Sequence, residues 1–258
     1  MTTMKLLTVD TNSFTGMLPT ELSKIGGMQQ FYAYNNSLTG TLPKEFATWM
    51  DLQEFAVDGN MLTGTIPTEI GRLNDLTIFS VQNNSMTGTI PTWLGQLSNL
   101  YGIALGENLL TGTVPTEVGL MTSLQFLGVN DNSLTGTLPT ELGQLTVLQY
   151  VDLSENGFTG TFPKELLESN DLIGLNISKN ALTGTIPTEI SQLTNMTLFS
   201  FQHNNLTGSI SDVLCWNTNT SSEWEFLEGD CLVGDSGQVE IECECCTVCC
   251  NMNGSTCA

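Results

Sequence analysis

Residues 76–99 read LTIFSVQNNSMTGTIPTWLGQLSN, and this stretch contains the pattern that decides the fold. Phe79 and Val81 alternate with Ser80 and Gln82, as the side chains of a half-buried strand do. The alternation predicts a short strand whose apolar pair faces an interior and whose polar pair faces outward.

The second half of the stretch predicts a turn, a further extended segment and one short helical turn. Asn84 directly follows the strand, where a buried side-chain amide can bond the backbone of adjacent coils. Met86 and Ile90 then alternate with outward threonines until Pro91 ends the extended segment. A helical turn follows, with a threonine able to cap it and two leucines packed inward, namely Thr92, Leu94 and Leu97.

A glycine and an asparagine each recur nine times at a spacing of 24 residues. The glycines are Gly16, Gly40, Gly64, Gly88, Gly112, Gly136, Gly160, Gly184 and Gly208. The asparagines are Asn12, Asn36, Asn60, Asn84, Asn108, Asn132, Asn156, Asn180 and Asn204. All eight prolines follow one of these glycines by three residues. An uninterrupted period of this length predicts nine stacked coils.

The repeat resembles the plant-type leucine-rich repeat, LxxLxLxxNxLxGxIPxxLGxLxx, over residues 4 to about 214. That resemblance implies an α/β solenoid, a right-handed superhelix of nine 24-residue coils with a concave parallel β-sheet. It also implies a short disulfide-rich C-terminal cap. The coils are expected to stack at the inter-strand spacing of about 4.8 Å.

We expect two regions, a solenoid over residues 1–214 and a cysteine-rich cap and tail over residues 215–258. The first coil starts directly in strand phase, which leaves four apolar side chains without a preceding coil to cover them: Leu7, Val9, Phe14 and Leu18. Since a solenoid end needs a polar cap for solubility, we expect the solenoid to be N-terminally truncated. The missing part is expected to hold further coils, a cap and a signal or membrane segment.

All eight cysteines lie beyond residue 214, which indicates disulfides formed in an oxidising compartment. Caps of the plant family carry a similar cysteine pair, so the resemblance implies a disulfide between Cys215 and Cys231. A bridge closing such a loop stabilises by about 3 kcal/mol. Residues 243–250, with Cys257, resemble the CxCCxxCC tails of some algal leucine-rich repeat proteins. These six cysteines allow about 15 pairings, and a zinc site is the competing interpretation.

Composition argues against several classes of function. The formal net charge is −21, and such a surface repels phosphate backbones and anionic lipid head groups, so no nucleic-acid partner is expected. No stretch approaches the roughly 20 apolar residues that span a bilayer, so no membrane insertion is expected within this chain. A single histidine, His203, gives little basis for nucleophilic or acid–base chemistry, so neither an enzyme nor a cofactor or metal site is predicted.

The outward strand positions vary from coil to coil, and variable positions on a fixed scaffold can encode ligand choice. Aromatic side chains there offer large contact area at low entropic cost. We therefore predict a protein, peptide or glycan ligand on the concave face, as in a receptor ectodomain or a secreted binder resembling polygalacturonase inhibitors. The predicted contact residues are Tyr32, Tyr34, Asp58, Gln82, Phe126, Tyr150 and Asp152.

Asn-x-Ser/Thr sequons agree with an extracellular or cell-surface location. The tail cysteines point to the secretory pathway as well. The candidate glycosylation sites are Asn35, Asn83, Asn176, Asn195, Asn205, Asn219 and Asn253.

Threonine precedes the repeated glycine in all nine coils and follows it in seven. Stacked coils are expected to present threonine rows spaced about 4.8 Å across coils and about 6.7 Å along a strand, which resembles the ladders of ice-binding β-solenoids. The alternative function is therefore ice binding. Its predicted face is the central row Thr65, Thr89, Thr113 and Thr137. Threonine is also a good uncharged strand former, so the rows are explained by a scaffold role as well.

Overall fold

The computed structural model describes residues 4–209 and, beyond them, three short strands, Phe226–Gly229, Ile241–Glu242 and Val248–Cys249. The expected Cys215–Cys231 disulfide and the other cysteine side chains lie outside the described residues. Within the described part of the chain, no helix is long and apolar enough to cross a bilayer.

Eleven parallel strands form one sheet, here called the long sheet. Its first nine strands lie one per coil and pair in register, so that Phe79 lies opposite Phe55 and Ile103. From Phe31 onward the middle residue of each of these strands is buried, and its neighbours face outward. The strands are Leu6–Thr8, Gln30–Tyr32, Glu54–Ala56, Ile78–Ser80, Gly102–Ala104, Phe126–Gly128, Tyr150–Asp152, Gly174–Asn176, Leu198–Ser200, Phe226–Gly229 and Val248–Cys249.

Seven further parallel strands form the second sheet, in which the register differs. Thr111 lies opposite Thr89 of the preceding coil and Ser133 of the following one, a step of 22 residues (111 − 89) where the repeat is 24. Equivalent residues of neighbouring coils are thus staggered by two residues along the strand. The strands are Thr63–Gly64, Ser85–Thr89, Leu109–Gly112, Ser133–Thr137, Gly157–Thr161, Ala181–Gly184 and Asn205–Leu206. Two separate pairs are Thr15–Met17 with Ser37–Thr39, and Gly208–Ser209 with Ile241–Glu242.

The predicted helical turn of each coil is a short 3₁₀ helix that begins directly after a proline. No side chain caps any of the eight helices in the described part, so the expectation that threonine caps this turn is wrong. The threonine is the first helical residue, and in four coils its hydroxyl bonds the following glutamate instead. The helices are Thr20–Lys24, Lys44–Thr48, Thr68–Arg72, Thr92–Gln96, Thr116–Leu120, Thr140–Gln144, Lys164–Glu168 and Thr188–Gln192.

Apolar side chains from the two sheets and the helices fill the interior in rows that run from coil to coil. The rings of Phe31, Phe55 and Phe79 stack on one another, with centroids 5.5 and 5.7 Å apart. Leu94 and Leu97 of the fourth coil are fully buried, as the sequence predicts. Each coil therefore buries its apolar residues against its neighbours and could not do so alone.

The first coil differs from the others in burial. Phe14 and Met17 are 50% and 71% exposed, and Leu7 and Val9 are only partly buried. Leu18 is 5% exposed, so the expectation that it lacks cover is wrong. It packs into the same continuous core as the following coils.

The repeated asparagine ties each coil to the one before it. Asn108 donates to two carbonyls of its own coil at 3.0 and 3.2 Å and to the Val81 carbonyl of the preceding coil at 3.0 Å. Its side-chain oxygen accepts the backbone N–H of Met86 at 2.9 Å. The same arrangement recurs in every coil from Asn36 to Asn204. These asparagines form a ladder of hydrogen bonds through the solenoid.

The repeated glycine is required for two reasons. Gly112 has a φ of 81°, which L side chains rarely adopt, and a Cβ there would lie 3.0 Å from Cγ2 of Thr89. The threonine that follows the glycine of one coil therefore packs its methyl group on the glycine of the next. On Gly40 the place of this methyl group is taken by Met17.

We predict that Asn108→Ala destabilises the protein by about 2–4 kcal/mol, because it leaves buried backbone groups of two coils without partners. Asn12→Ala is the matched control. Asn12 is exposed and donates only within its own coil, to the carbonyls of Val9 and Asp10 at 3.2 and 2.7 Å. Its loss should therefore stay below about 1 kcal/mol. Urea unfolding followed by circular dichroism measures both, and equal losses would contradict the role of the ladder.

Candidate ligand-binding face

The outward side of the long sheet carries all seven predicted contact residues, in two groups. The first group lies in the second to fourth coils and contains Tyr32, Tyr34, Asp58 and Gln82. The second group lies in the sixth and seventh coils and contains Phe126, Tyr150 and Asp152. The two groups differ in how far their polar atoms are already bonded.

The two tyrosines of the first group are held by neighbouring carboxylates. Tyr32 donates its hydroxyl to Glu54, which also accepts the side-chain amide of Gln30 at 3.0 Å. Burial, and then the bond to Glu54, raise the pKa of Tyr32 above its usual value. The ring of Tyr34 lies edge-on to that of Tyr32, with centroids 6.4 Å apart. A hydrogen bond with Asp10 raises the pKa of Tyr34 as well. Both tyrosines are therefore neutral donors.

Asp58 is a partly buried acid whose contacts are internal. Its Oδ1 accepts the Ser80 hydroxyl and the backbone N–H of Gln82, the latter at 2.9 Å. Burial raises the pKa of Asp58, and these hydrogen bonds oppose the rise. The Gln82 side-chain amide donates to Glu107 at 2.8 Å. Despite these acids, no group of three or more potential metal ligands occurs among the described residues.

Phe126 and Tyr150 are the exposed aromatic residues of the second group, at 38% and 40% of their surface. Each ring lies over a glycine. A Cβ at Gly128 would come within 3.0 Å of the Phe126 ring, and one at Gly174 within 2.9 Å of the Tyr150 ring. Both rings and Leu198 line a shallow pocket of about 270 Å³.

Two polar side chains of this pocket each keep one unpaired atom. Asp152 Oδ1 accepts the backbone N–H and the hydroxyl of Ser154 at 3.1 and 2.6 Å. Asn176 Oδ1 accepts the same groups of Ser178 at 3.1 and 2.7 Å. Asp152 Oδ2 and Asn176 Nδ2 have no hydrogen-bond partner among the described residues. Because Asp152 and Asn176 lie opposite each other in adjacent strands, an unpaired acceptor lies beside an unpaired donor.

Several residues that line this pocket were not predicted from the sequence. Gly174, Asn176 and Leu198 line it, and Tyr101 is 41% exposed, yet none was predicted as a contact. A small or apolar residue at an outward position does not by itself indicate contact with a ligand. A usable signal was glycine at the outward positions 102, 106, 128 and 174, because an outward residue without a side chain leaves room for the side chains beside it.

The threonines before the repeated glycine are bonded to the backbone. Thr111 donates its hydroxyl to the Gly88 carbonyl at 3.2 Å, and four other coils show the same bond. These hydroxyls therefore help to join the coils. Threonines after the glycine differ: the predicted ice-binding residues are exposed, and their hydroxyls have no partner among the described residues, namely Thr65, Thr89, Thr113 and Thr137.

The prediction that these four threonines form a row straight across adjacent coils is wrong. The register places Thr89 opposite Thr111 and not opposite Thr113. On the line across the strands that contains Thr89 and Thr111, the next residue is Ser133. On the line that contains Thr87, the residue of the next strand is Leu109. Equivalent threonines lie instead on an oblique line, about 8 Å apart by ordinary strand geometry.

The candidate glycosylation sites differ in exposure. Asn176 is only partly exposed and lies in the pocket. Asn219 and Asn253 lie outside the described residues. The exposed ones are Asn35, Asn83, Asn195 and Asn205.

We predict that Asp58→Asn stabilises the protein at neutral pH and that the gain disappears in acid. The pKa of Asp58 is raised in the folded state, so its ionisation lowers stability once the pH rises through the unfolded pKa. Asparagine keeps an oxygen for Ser80 and Gln82. Urea midpoints of both proteins between about pH 3 and about pH 7 measure the effect. A difference that grows as the pH falls would contradict it.

Comparison with known proteins supports the architecture. A Leucine Rich Repeat family profile matches residues 75–97, 123–145, 147–168 and 171–193. No curated protein sequence matches the chain. The solved ectodomain of the Arabidopsis thaliana receptor kinase GASSHO1/SCHENGEN3, in complex with CASPARIAN STRIP INTEGRITY FACTOR 2, is 33% identical, with a TM-score of 0.76. That match covers 79% of this chain and 24% of the ectodomain.

Two further structures are similar. The Arabidopsis receptor kinase HAESA, in complex with the peptide hormone IDA and the co-receptor SERK1, is 30% identical over 77% of this chain and 33% of its own, with a TM-score of 0.74. A plant ice-binding protein is 26% identical over 76% of this chain and 63% of its own, with a TM-score of 0.69. The chain thus spans about a quarter to a third of the receptor ectodomains. It folds as a leucine-rich repeat solenoid of about nine repeats and is similar to the ectodomains of plant receptor kinases.

Proposed function

We propose that this chain is an extracellular recognition module that binds a peptide or protein ligand through the outward face of the long sheet. The observation that carries the proposal is the pair of exposed rings, Phe126 and Tyr150, at a pocket of about 270 Å³ on that face. Aromatic anchors in pockets supply much of the binding energy at protein interfaces. The seven sequons and eight cysteines support a location outside the cell.

Similar proteins support the class of ligand. The GASSHO1/SCHENGEN3 ectodomain was solved with CASPARIAN STRIP INTEGRITY FACTOR 2, and HAESA with the peptide hormone IDA. Both are similar to this chain over more than three quarters of its length, at 79% and 77%. A peptide is therefore favoured over a glycan as the ligand.

The first group of predicted contact residues, several of which are held by neighbouring coils, also supports binding at the outward face of the long sheet. Tyr32 and Tyr34 are held by carboxylates of neighbouring coils, and Asp58 by Ser80 and Gln82. Side chains fixed before binding lose little rotamer freedom when a ligand docks. This part of the face thus offers a rigid surface next to the open pocket.

We predict that Phe126→Ala combined with Tyr150→Ala weakens binding of peptides that this chain selects from a displayed random-peptide library. The expected loss is at least about 30-fold, which corresponds to about 2 kcal/mol. Because both rings are exposed, the melting temperature should change little. Biolayer interferometry measures the affinity, and circular dichroism the melting temperature.

Thr89→Val combined with Thr113→Val is the matched control on the second sheet. Valine keeps the methyl groups that pack on Gly112 and Gly136 and removes only the hydroxyls. The control should bind as the wild type does. If it loses affinity while the long-sheet variant does not, the chosen surface is wrong. If the library yields no enriched peptide, a peptide ligand is rejected.

Ice binding through the second sheet is the second candidate function. It is favoured by the exposed threonines with unpaired hydroxyls among the described residues, and by the 26% identity with a plant ice-binding protein. The staggered register argues against it, because a line across the paired strands holds Thr89 and Thr111 and is then interrupted by Ser133. A regular threonine array therefore exists only along the oblique line of equivalent residues, which lie about 8 Å apart.

If the threonines bind ice, Thr89→Lys combined with Thr113→Lys should abolish thermal hysteresis. The inward neighbours Ile90 and Val114 stay in place, so stability should change by no more than about 1 kcal/mol. Thermal hysteresis and ice recrystallisation are measured for the wild type, the lysine pair and the valine control. If the wild type shows neither thermal hysteresis nor an effect on ice recrystallisation, ice binding is rejected. If the lysine variant keeps the activity of the wild type, ice does not bind through the threonines of the second sheet.

A further inference from the structure

Resting on the proposed function, we infer that the pocket between Phe126 and Leu198 binds one apolar residue of an extended peptide. The backbone of that residue is held by Asp152 and Asn176, and the residue beside it is basic. The inference names the ligand chemistry of this pocket, which is narrower than recognition by the whole face.

The lining of the pocket fits a single apolar side chain. Its outward apolar side chains are those of Phe126, Tyr150 and Leu198, whereas Val151 and Leu175, which also line it, are 2% exposed and point inward. A volume of about 270 Å³ is below that of most sites for a complete small ligand, but it suffices for one side chain. Burial of such a side chain against these groups supplies the main attraction.

The unpaired atoms on the wall of the pocket fit one residue of an extended chain. Asp152 Oδ2 can accept an N–H, and Asn176 Nδ2 can donate to a carbonyl. In an extended strand the N–H and C=O of one residue point to the same side, as they do in a hydrogen-bonded antiparallel pair. A sugar ring carries hydroxyls around its whole edge, whereas the lining of this pocket is mostly apolar, with polar groups only on Tyr150, Asp152, Asn176 and Ser200. The arrangement therefore favours a peptide.

Charge near the pocket determines the sign of the neighbouring ligand residue. The carboxylate of Asp152 lines the pocket, and Asp131, three residues after the strand Phe126–Gly128, is exposed, with no partner for its carboxylate among the described residues. Lys179 is bonded to Glu155 at 2.7 Å, so that cation is compensated. With a formal net charge of −21 over the chain, an arginine or lysine beside the apolar residue is complementary.

Asn176 is also a candidate glycosylation site, and the experiment must control for this modification. It belongs to the sequon Asn176-Ile177-Ser178, and a glycan would be attached at Nδ2, the donor assigned to the peptide. The two uses of this atom exclude each other. The experiment therefore uses the full chain produced without glycosylation, with Asn176 shown to be unmodified by peptide mass.

Two isosteric changes test the pair of unpaired atoms. Asp152→Asn replaces the free acceptor, Asn176→Asp removes the free donor, and each keeps the Oδ1 atom that accepts from its own serine. Peptides enriched from the random library are synthesised and titrated by calorimetry. We expect each change to weaken binding at least tenfold. Replacing the apolar or the basic residue of the peptide by alanine should weaken it tenfold as well, and added salt should lower the affinity.

Asp75→Asn is the control variant, because it makes the same change of charge as Asp152→Asn. Asp75 is exposed and lies between the helix Thr68–Arg72 and the strand Ile78–Ser80, outside the pocket and outside the predicted contact residues. Its replacement should leave binding unchanged. A glycan-bearing Asn176 should lose binding.

Three outcomes separate the inference from the proposed function. Peptides that ignore both pocket changes but need Tyr34 overturn the pocket assignment and leave the proposed function standing. An unenriched library rejects both. Binding of the neutral hexasaccharide cellohexaose that depends on Asp152 and Asn176 assigns the pocket to a glycan and overturns the peptide.

Discussion

The hydrogen bonds of the asparagine ladder are the constraint on which the rest of the structure depends. Where each coil leaves the long sheet, its backbone turns, and the amide of a residue such as Asn108 bonds carbonyls of two successive coils and an N–H of the preceding one. A buried amide with four partners cannot shift without leaving polar groups unpaired. The coil length is therefore fixed, and every surface of the solenoid repeats with it.

The two sheets turn this one repeat into surfaces with different properties. In the long sheet, equivalent residues lie directly opposite one another, so outward side chains of adjacent coils lie side by side, as Asp152 and Asn176 do. In the second sheet the stagger places each threonine methyl on a glycine of the next coil, as Thr89 on Gly112. Outward residues of the long sheet can therefore differ from coil to coil, whereas packing between coils favours threonine and glycine at these positions of the second sheet.

The long sheet accommodates many acids because most of them have local donors. Tyr32 and Gln30 donate to Glu54, and Ser80 donates to Asp58. Such contacts stabilise carboxylates at a surface with few cations. Asp58 and Asp152 each use only one oxygen internally, but the carboxylate of Asp152 lines the pocket. The face therefore combines a rigid, bonded part with a part whose polar atoms are open to a ligand.

The sequence by itself determined the period, the inward residues such as Leu94 and Leu97, and the bonding role of the ladder asparagines, because these follow from local, repeated spacing. It could not determine the stagger of the second sheet, since alternation defines which side chains point inward but not how far adjacent coils slide. Nor could it determine the role of the threonine that begins six of the eight described helices, which caps none of them and whose hydroxyl bonds glutamate in four. The pocket was decided only by the tertiary structure, because its walls come from four coils that meet when the solenoid stacks.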